Sequence, residues 1–254
     1  MGNRKSPNQL NTVNNAISLL RMFLSSESIS LTDVEKELNI SKTTAFRLVT
    51  TMAERGLLYK NDKTKRYSPG ILLFQLIRKY QKYDIVAISD RYIEELATKT
   101  DESVYLTIRS GYNYLFLTGR ESTQMLKVTT PLGDEYSLYV GAAGKLHLAF
   151  LSDNEINQYF EKVEYKKYTS ATLTKKQLRD ELKQIRKQRY SLSKGERISD
   201  AIGIAVPIFD SNEFIVATIG IYFPETRYSK KIEQKYIKEL QQYARKIQQR
   251  MLDN

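Results

Sequence analysis

Cysteine and tryptophan are absent from the 254 residues, and histidine occurs once, as His147. Without cysteine neither a disulfide nor a thiolate zinc site can form, and a reducing cytoplasm is the expected setting. A lone histidine cannot supply the His pair of a zinc enzyme. Ser-His-Asp chemistry would need His147 itself, and no Gly-x-Ser-x-Gly elbow exists. Long apolar runs are missing too. "FIVATIGIYF", residues 214–223, is far short of the ~20 residues a membrane helix needs. The opening "MGNRKSPNQL" lacks the apolar stretch of a signal peptide. The acidic pairs Glu94-Glu95 and Asp180-Glu181 are neighbours on helices and point to different faces, so they are expected to be surface charges. No catalytic group, metal, cofactor or membrane partner is expected.

What the chain has is aromatic residues and positive charge. With 18 Tyr and 9 Phe it can build a core without tryptophan. The net charge is +11, and it is uneven: residues 1–83 hold 14 Lys and Arg against 6 acids, residues 84–254 hold 26 against 23. Excess charge at one end suggests a polyanion partner there.

In that basic third, Val13, Ala16, Ile17, Leu20, Phe23 and Leu24 recur at helical spacing, with Asn11 or Thr12 able to cap the start. Thr32 and Glu35 have the form of a capping box for a second short helix bearing Val34 and Leu38. Ser41 can cap a third, "KTTAFRLVTTMAERG", which Gly56 would stop. Its apolar face is Ala45, Leu48, Val49 and Met52. Ser41, Lys42, Thr43, Thr44 and Arg47 lie off that face: hydroxyls and cations suited to phosphates, and an arginine suited to a guanine edge. Then "LLYKNDKTKRYSPG" alternates around Asn61-Asp62-Lys63, a hairpin carrying Lys60, Lys63, Lys65 and Arg66. Helix, turn, helix and basic wing describe a winged helix-turn-helix reader of double-stranded DNA.

These residues carry a family resemblance. Lys42-Thr43-Thr44, Arg47, Gly56-Leu57-Leu58 and Tyr67-Ser68-Pro69-Gly70, in that order, resemble the DNA-binding region of the IclR family of bacterial transcription regulators. Past it, "ILLFQLIRKYQKY" (71–83) reads as a linker helix, and Asp84 opens another helix with Ile85, Ile88, Tyr92, Ile93 and Leu96 as its stripe. "ESVYLTIR" and "YLFLTGRE" flank a hairpin loop, and "MLKVTT" follows as a third strand. "AIGIAVPIF" and "EFIVATIGIYF" form another hairpin around Asp210-Ser211-Asn212. Helices are expected at 142–151, 153–160, 175–188 (announced by Thr174 and Gln177) and 230–251. This is an α+β arrangement. The resemblance implies that it is a sensor domain similar to the GAF and PAS folds.

"GAAGKL", 141–146, resembles a phosphate cradle at first sight. A P-loop would need a glycine at Tyr139 and a hydroxyl at Leu146, and it has neither. The resemblance implies instead a loop entering a helix at the mouth of a small-molecule pocket. Small residues there let a ligand approach the backbone, and helix-start amides favour a carboxylate; equally, they can serve only close packing. "SLSKGERISDAIGIAVP" would supply the other half. Glu196 matches the family glutamate, Ser193 or Lys194 falls near its usual acid, and Gly203 stands where cysteine is common. Loss of acid and thiol points to a ligand unlike the small oxoacids and aromatic acids the resemblance implies. Candidate lining residues are Tyr105, Leu126, Ala142, Ala143, Ser193 and Gly203, each also open to a packing role. His147 is expected to fill a half-buried helix position.

The expectation is thus a DNA-binding domain (1–70), a linker helix (71–84) and an effector-binding, oligomerising domain (85–254). The protein would be a repressor on a pseudo-palindromic operator, homodimer or tetramer, controlled by a small carboxylate. The rival is a ligand-independent dimeric repressor whose second domain only oligomerises.

Overall fold

The computed structural model describes residues 10–80 and 85–253. The chain divides into two compact units, Met1–Lys82 and Tyr83–Asn254.

The first unit holds α1 (Asn11–Met22), α2 (Leu31–Leu38), α3 (Lys42–Glu54), β1 (Leu58–Lys60), β2 (Tyr67–Pro69) and α4 (Ile71–Tyr80). Leu19, Ile29, Val34, Ala45, Leu48, Val49, Met52, Leu58 and Tyr67 form its core. Two local expectations fail here. The capping box of α2 is Ser30 with Asp33, not Thr32 with Glu35: Asp33 N–H donates to the Ser30 hydroxyl and Ser30 N–H to the Asp33 carboxylate. The buried side of α1 centres on Leu19, leaving Val13 and Ile17 about half exposed, and α1 begins without a side-chain cap from Asn11 or Thr12. Helical period fixes that one side is apolar but not which shoulder of a wide apolar arc faces inward. Gly70 sits where β2 closes on β1; a Cβ there would lie 2.2 Å from the Gly56 carbonyl oxygen, so only glycine fits. The residues beyond Tyr80 expected in the linker helix, and Asp84, lie outside the described residues.

In the second unit, α5 (Ile85–Thr100) precedes the hairpin β3 (Ser103–Ser110) and β4 (Asn113–Arg120), then β5 (Glu135–Ser137). Three helices follow: α6 (Gly141–Ala149), α7 (Asp153–Lys162) and α8 (Lys175–Gln188). Then come β6 (Ser191–Lys194), β7 (Ala201–Phe209), β8 (Ile215–Pro224) and α9 (Lys230–Leu252). The strands form one antiparallel sheet in the order β5-β4-β3-β8-β7-β6. Side-chain alternation sorts the two faces. Val104, Leu106, Ile202, Ile204, Ile219 and Ile221 face α5 and α9, while Tyr105, Tyr222 and Ala205 face α6, α7 and α8. Burying each of those isoleucines contributes roughly 1.5–3 kcal/mol. The architecture is α+β, an antiparallel sheet between two helical layers.

"MLKVTT" is not the third strand. Met125 is fully exposed and the run is irregular; β5, ten residues later, pairs with β4. Side chains secure this stretch instead of a ladder: Ser122 N–H donates to the Ser103 hydroxyl and Thr130 N–H to the Tyr105 phenol oxygen. β6 was unforeseen, and it matters because it carries Ser193 opposite Gly203.

Candidate functional site

In the first unit, α3 turns its candidate DNA-contact residues outward. Ser41 caps it, its hydroxyl accepting from Thr44 N–H (3.3 Å) and lying 2.9 Å from the Thr44 hydroxyl. Ala45, Leu48, Val49 and Met52 are buried; Ser41, Lys42, Thr43, Thr44 and Arg47 are all exposed. All five candidates therefore share one accessible helix end. A groove of about 570 Å³ runs beside it, lined by Val13, Ala16 and Ile17 of α1 and by Thr44, Arg47 and Thr51 of α3.

The wing is held by its own turn. The Asn61 side chain accepts from the Lys63 and Thr64 N–H groups, and Lys65 takes a left-handed backbone conformation (φ 59°). Lys60, Lys63 and Lys65 are exposed. Arg66 is different. Its Nε donates to the Ser28 hydroxyl (2.8 Å), its Nη2 to the Ser28 carbonyl (2.6 Å), and Asp33 lies 3.5 Å away. With its donors directed at the α1–α2 loop, Arg66 ties the wing down. In the free protein this sets Arg66 apart from the three lysines, although its side chain remains 43% exposed.

In the second unit, a cavity of about 20 Å³ lies between α6 and the sheet. Ala142, Ser193 and Gly203 line it, as do Tyr114, Arg197 and Tyr222, which the sequence reading missed. Tyr105 stands one layer back, edge-on to Tyr222, its phenol oxygen taken by Thr130 N–H. Ala143 is buried in the core beside the cavity. Leu126 does not belong: its side chain is 60% exposed, and only its carbonyl is used, accepting from Arg227. Tyr222 explains the glycine at 203. The two residues pair across β7 and β8, and a Cβ at 203 would meet the Tyr222 ring at 3.1 Å. The volume lost at 203 is filled from the next strand, and counting β-hairpin register outward from 210–214 could have found it.

Two polar side chains of this lining keep hydrogen-bonding capacity to spare. The Tyr222 hydroxyl is buried without a hydrogen-bond partner among the described residues, and burial pushes its pKa up, so it stays a neutral donor. Arg197 donates to the Thr130 hydroxyl through Nη2 (2.8 Å) and stacks over the Tyr136 ring at 4.3 Å. A guanidinium has five N–H donors, so one such bond leaves others for a ligand.

The start of α6 is already committed. Gly141 N–H donates to Glu196, whose other oxygen pairs with fully buried Lys145. Lys145 also donates to Glu181 (2.5 Å) and to the Leu192 carbonyl (2.8 Å), so its three donors are all spent. Burial raises the Glu196 pKa above the usual carboxylate range, against the pull of Lys145. Glu181, expected to be a plain surface charge, is part of this network. Deeper along α6, His147 is buried rather than half-buried: its Nε2 lies 3.1 Å from Thr107, itself 2.7 Å from Thr218. Burial pushes its pKa down to about 3, so it is neutral at physiological pH. No group of three His, Asp or Glu able to hold a metal stands together among the described residues, and no helix described is long and apolar enough to cross a membrane.

Comparison with known proteins agrees with both units. Residues 12–62 match the IclR helix-turn-helix domain and residues 78–249 the bacterial transcriptional regulator IclR C-terminal domain. The HTH-type transcriptional regulator KdgR of Escherichia coli is 30% identical over 97% of this chain and 95% of its own. The transcriptional repressor IclR of the same organism is 25% identical over 86% of this chain and 82% of its own. An IclR homologue from Microbacterium hydrocarbonoxydans, solved in complex with 4-hydroxybenzoate, superposes with a TM-score of 0.80 at 18% identity, covering 96% of this chain and all of that one. The chain belongs to the IclR family of DNA-binding bacterial transcription regulators.

Proposed function

We propose that this protein is a homodimeric repressor that reads a pseudo-palindromic operator through α3 and is released or retained by a small carboxylate bound between α6 and the sheet. The observation that carries the DNA-reading part is the outward set Lys42, Thr43 and Arg47 beside a capped helix start. Hydroxyls and N-terminal amides suit phosphates, and arginine forms a bidentate pair with a guanine edge. Two copies would present their reading helices to successive major grooves about 34 Å apart. Exposed Leu10, just before α1, and Val13 and Ile17 on α1 give apolar area for self-association.

For the effector, support comes from Arg197 and Tyr222, whose hydroxyl has no partner among the described residues, lining one cavity. The helix-start amide of Gly141 is taken by Glu196, so Arg197 is the carboxylate anchor proposed here. The Microbacterium homologue's 4-hydroxybenzoate belongs to the same chemical class. One observation favours the second reading, a ligand-independent repressor: a cavity of about 20 Å³ has room for no more than about one water. An effector larger than a water must displace some of the lining side chains. It can shift regulation only by binding one state of the protein better than the other.

The test has two arms. Sequences are selected from a random duplex pool with full-length protein, with and without a metabolite extract; failure to enrich any sequence overturns the reader. A panel of small carboxylates and sugar acids is then scored by thermal shift on wild type and Tyr222→Phe. The variant loses an unpartnered buried hydroxyl, so its own stability should hold or rise slightly. A compound that shifts wild type more than the variant supports the pocket; no shift with any compound, beside tight operator binding, supports the ligand-independent repressor.

A further inference from the structure

Helix α3 carries one side chain that its core does not claim and that phosphate binding does not explain. Phe46 is 50% exposed. At about 100° per residue, Ala45, Leu48, Val49 and Met52 close one side of α3, and Thr43, Phe46, Arg47 and Thr50 fall on the other. Phe46 is thus the one aromatic residue on the outward side of α3, among threonines and an arginine.

We infer that Phe46 is a specificity residue that packs against the C5-methyl group of a thymine next to the guanine addressed by Arg47. The methyl group of thymine is the one apolar feature that base edges present in the major groove. A phenyl ring has no donor or acceptor, so it can add nothing to a phosphate contact. It lies in the N-terminal half of α3 (Lys42–Glu54), the part of a reading helix that meets base edges. Arg47, the next residue, is turned about 100° further and addresses a neighbouring base pair. The pair would therefore read a step containing one A·T and one G·C pair, with the methyl group and the guanine edge as its marks. This rests on the DNA-reading role proposed above.

The experiment uses full-length protein and the duplex enriched from the random pool. Each thymine is replaced singly by deoxyuridine, which deletes the methyl group and leaves every hydrogen-bonding atom. Wild type should lose about fourfold in affinity at one thymine per half-site and little elsewhere. Phe46→Ala should bind more weakly overall and lose that sensitivity, whereas Phe46→Leu, still apolar, should keep part of it. Arg47→Ala should remain sensitive to the same methyl group. Indifference of wild type to every replacement overturns the inference, and so does equal sensitivity in Phe46→Ala, which would assign the ring to a protein contact. If the pool yields no enriched sequence, the DNA-reading role fails first and this inference with it. Unfolding midpoints of the two Phe46 variants, expected to match wild type for a half-exposed residue, separate lost reading from lost folding.

Discussion

The two units spend their charged groups in opposite ways. In the first, Lys42, Arg47, Lys63 and Lys65 stand exposed on a helix start and a wing. In the second, Lys145 is wholly buried, its three donors consumed by Glu181, Glu196 and the Leu192 carbonyl. An exposed cation keeps its bonding capacity for a partner, whereas a buried one is part of the fold. The difference decides what a substitution measures. In the first unit it should change binding and leave folding alone, and in the second it should do the reverse.

The harshest test of that contrast is Lys145→Met. It strands Glu196, which is 6% exposed, without its ammonium. Breaking a buried pair by removing one partner costs about 3–5 kcal/mol. Urea unfolding of the full chain should show that loss in the second unit's transition, and Lys145→Met with Glu196→Gln should recover part of it. A loss below about 1 kcal/mol, typical of a surface pair, would break the comparison. On the other side, Arg47→Ala should cost about 1–3 kcal/mol of specific binding per half-site, about fivefold to a hundredfold in affinity, with the unfolding midpoint unchanged. Titration of the enriched duplex by fluorescence anisotropy reads the first quantity and thermal melting the second.

His147 sharpens the contrast through pH. Its folded pKa is pushed down to about 3 by burial, against an ordinary value near 6.5. Between those values the unfolded chain binds the proton and the folded chain does not. Stability is therefore complete above pH 6.5 and falls as pH drops, by about 2 kcal/mol on reaching pH 5. His147→Gln keeps a polar partner for Thr107 and has no such titration, so its stability should be flatter over that window. Parallel pH profiles for wild type and variant would mean that His147 opens to solvent.

How much of this was legible in the sequence follows the same division. The reader was legible because its signals are local: a capped helix, an apolar face at helical spacing, and cations on the remaining face. Ser41, Lys42, Thr43, Thr44 and Arg47 all stand where spacing put them. The pocket was only half legible. Ala142, Ser193 and Gly203 line it, but Tyr222 and Arg197 reach it through strand pairing and a loop, which no single segment encodes. Leu126 lies away from this cavity because "MLKVTT", whose alternation suggests a strand, is an irregular loop held by bonds to the Ser103 and Tyr105 side chains. For Glu181, adjacency to Asp180 on a helix suggests only a surface charge; its partner lies 36 residues away in α6.

The wing holds the comparison in miniature, between adjacent residues. Lys65 is exposed at the tip, while Arg66 is bonded to Ser28 and beside Asp33. Lys65→Ala should weaken binding to all duplexes alike and lower the slope of log affinity against log salt by about 1 for each wing that loses a phosphate contact. It should not alter stability, since alanine and lysine meet the same cost in the left-handed conformation that residue 65 adopts. Arg66→Ala should do the opposite, costing about 1 kcal/mol of stability through lost charge-assisted bonds, kept small because Arg66 is nearly half exposed. Its salt slope should match wild type. If instead both variants flatten the slope equally, Arg66 leaves Ser28 when DNA arrives, and its bonds in the free protein are a resting position rather than a fixed tether.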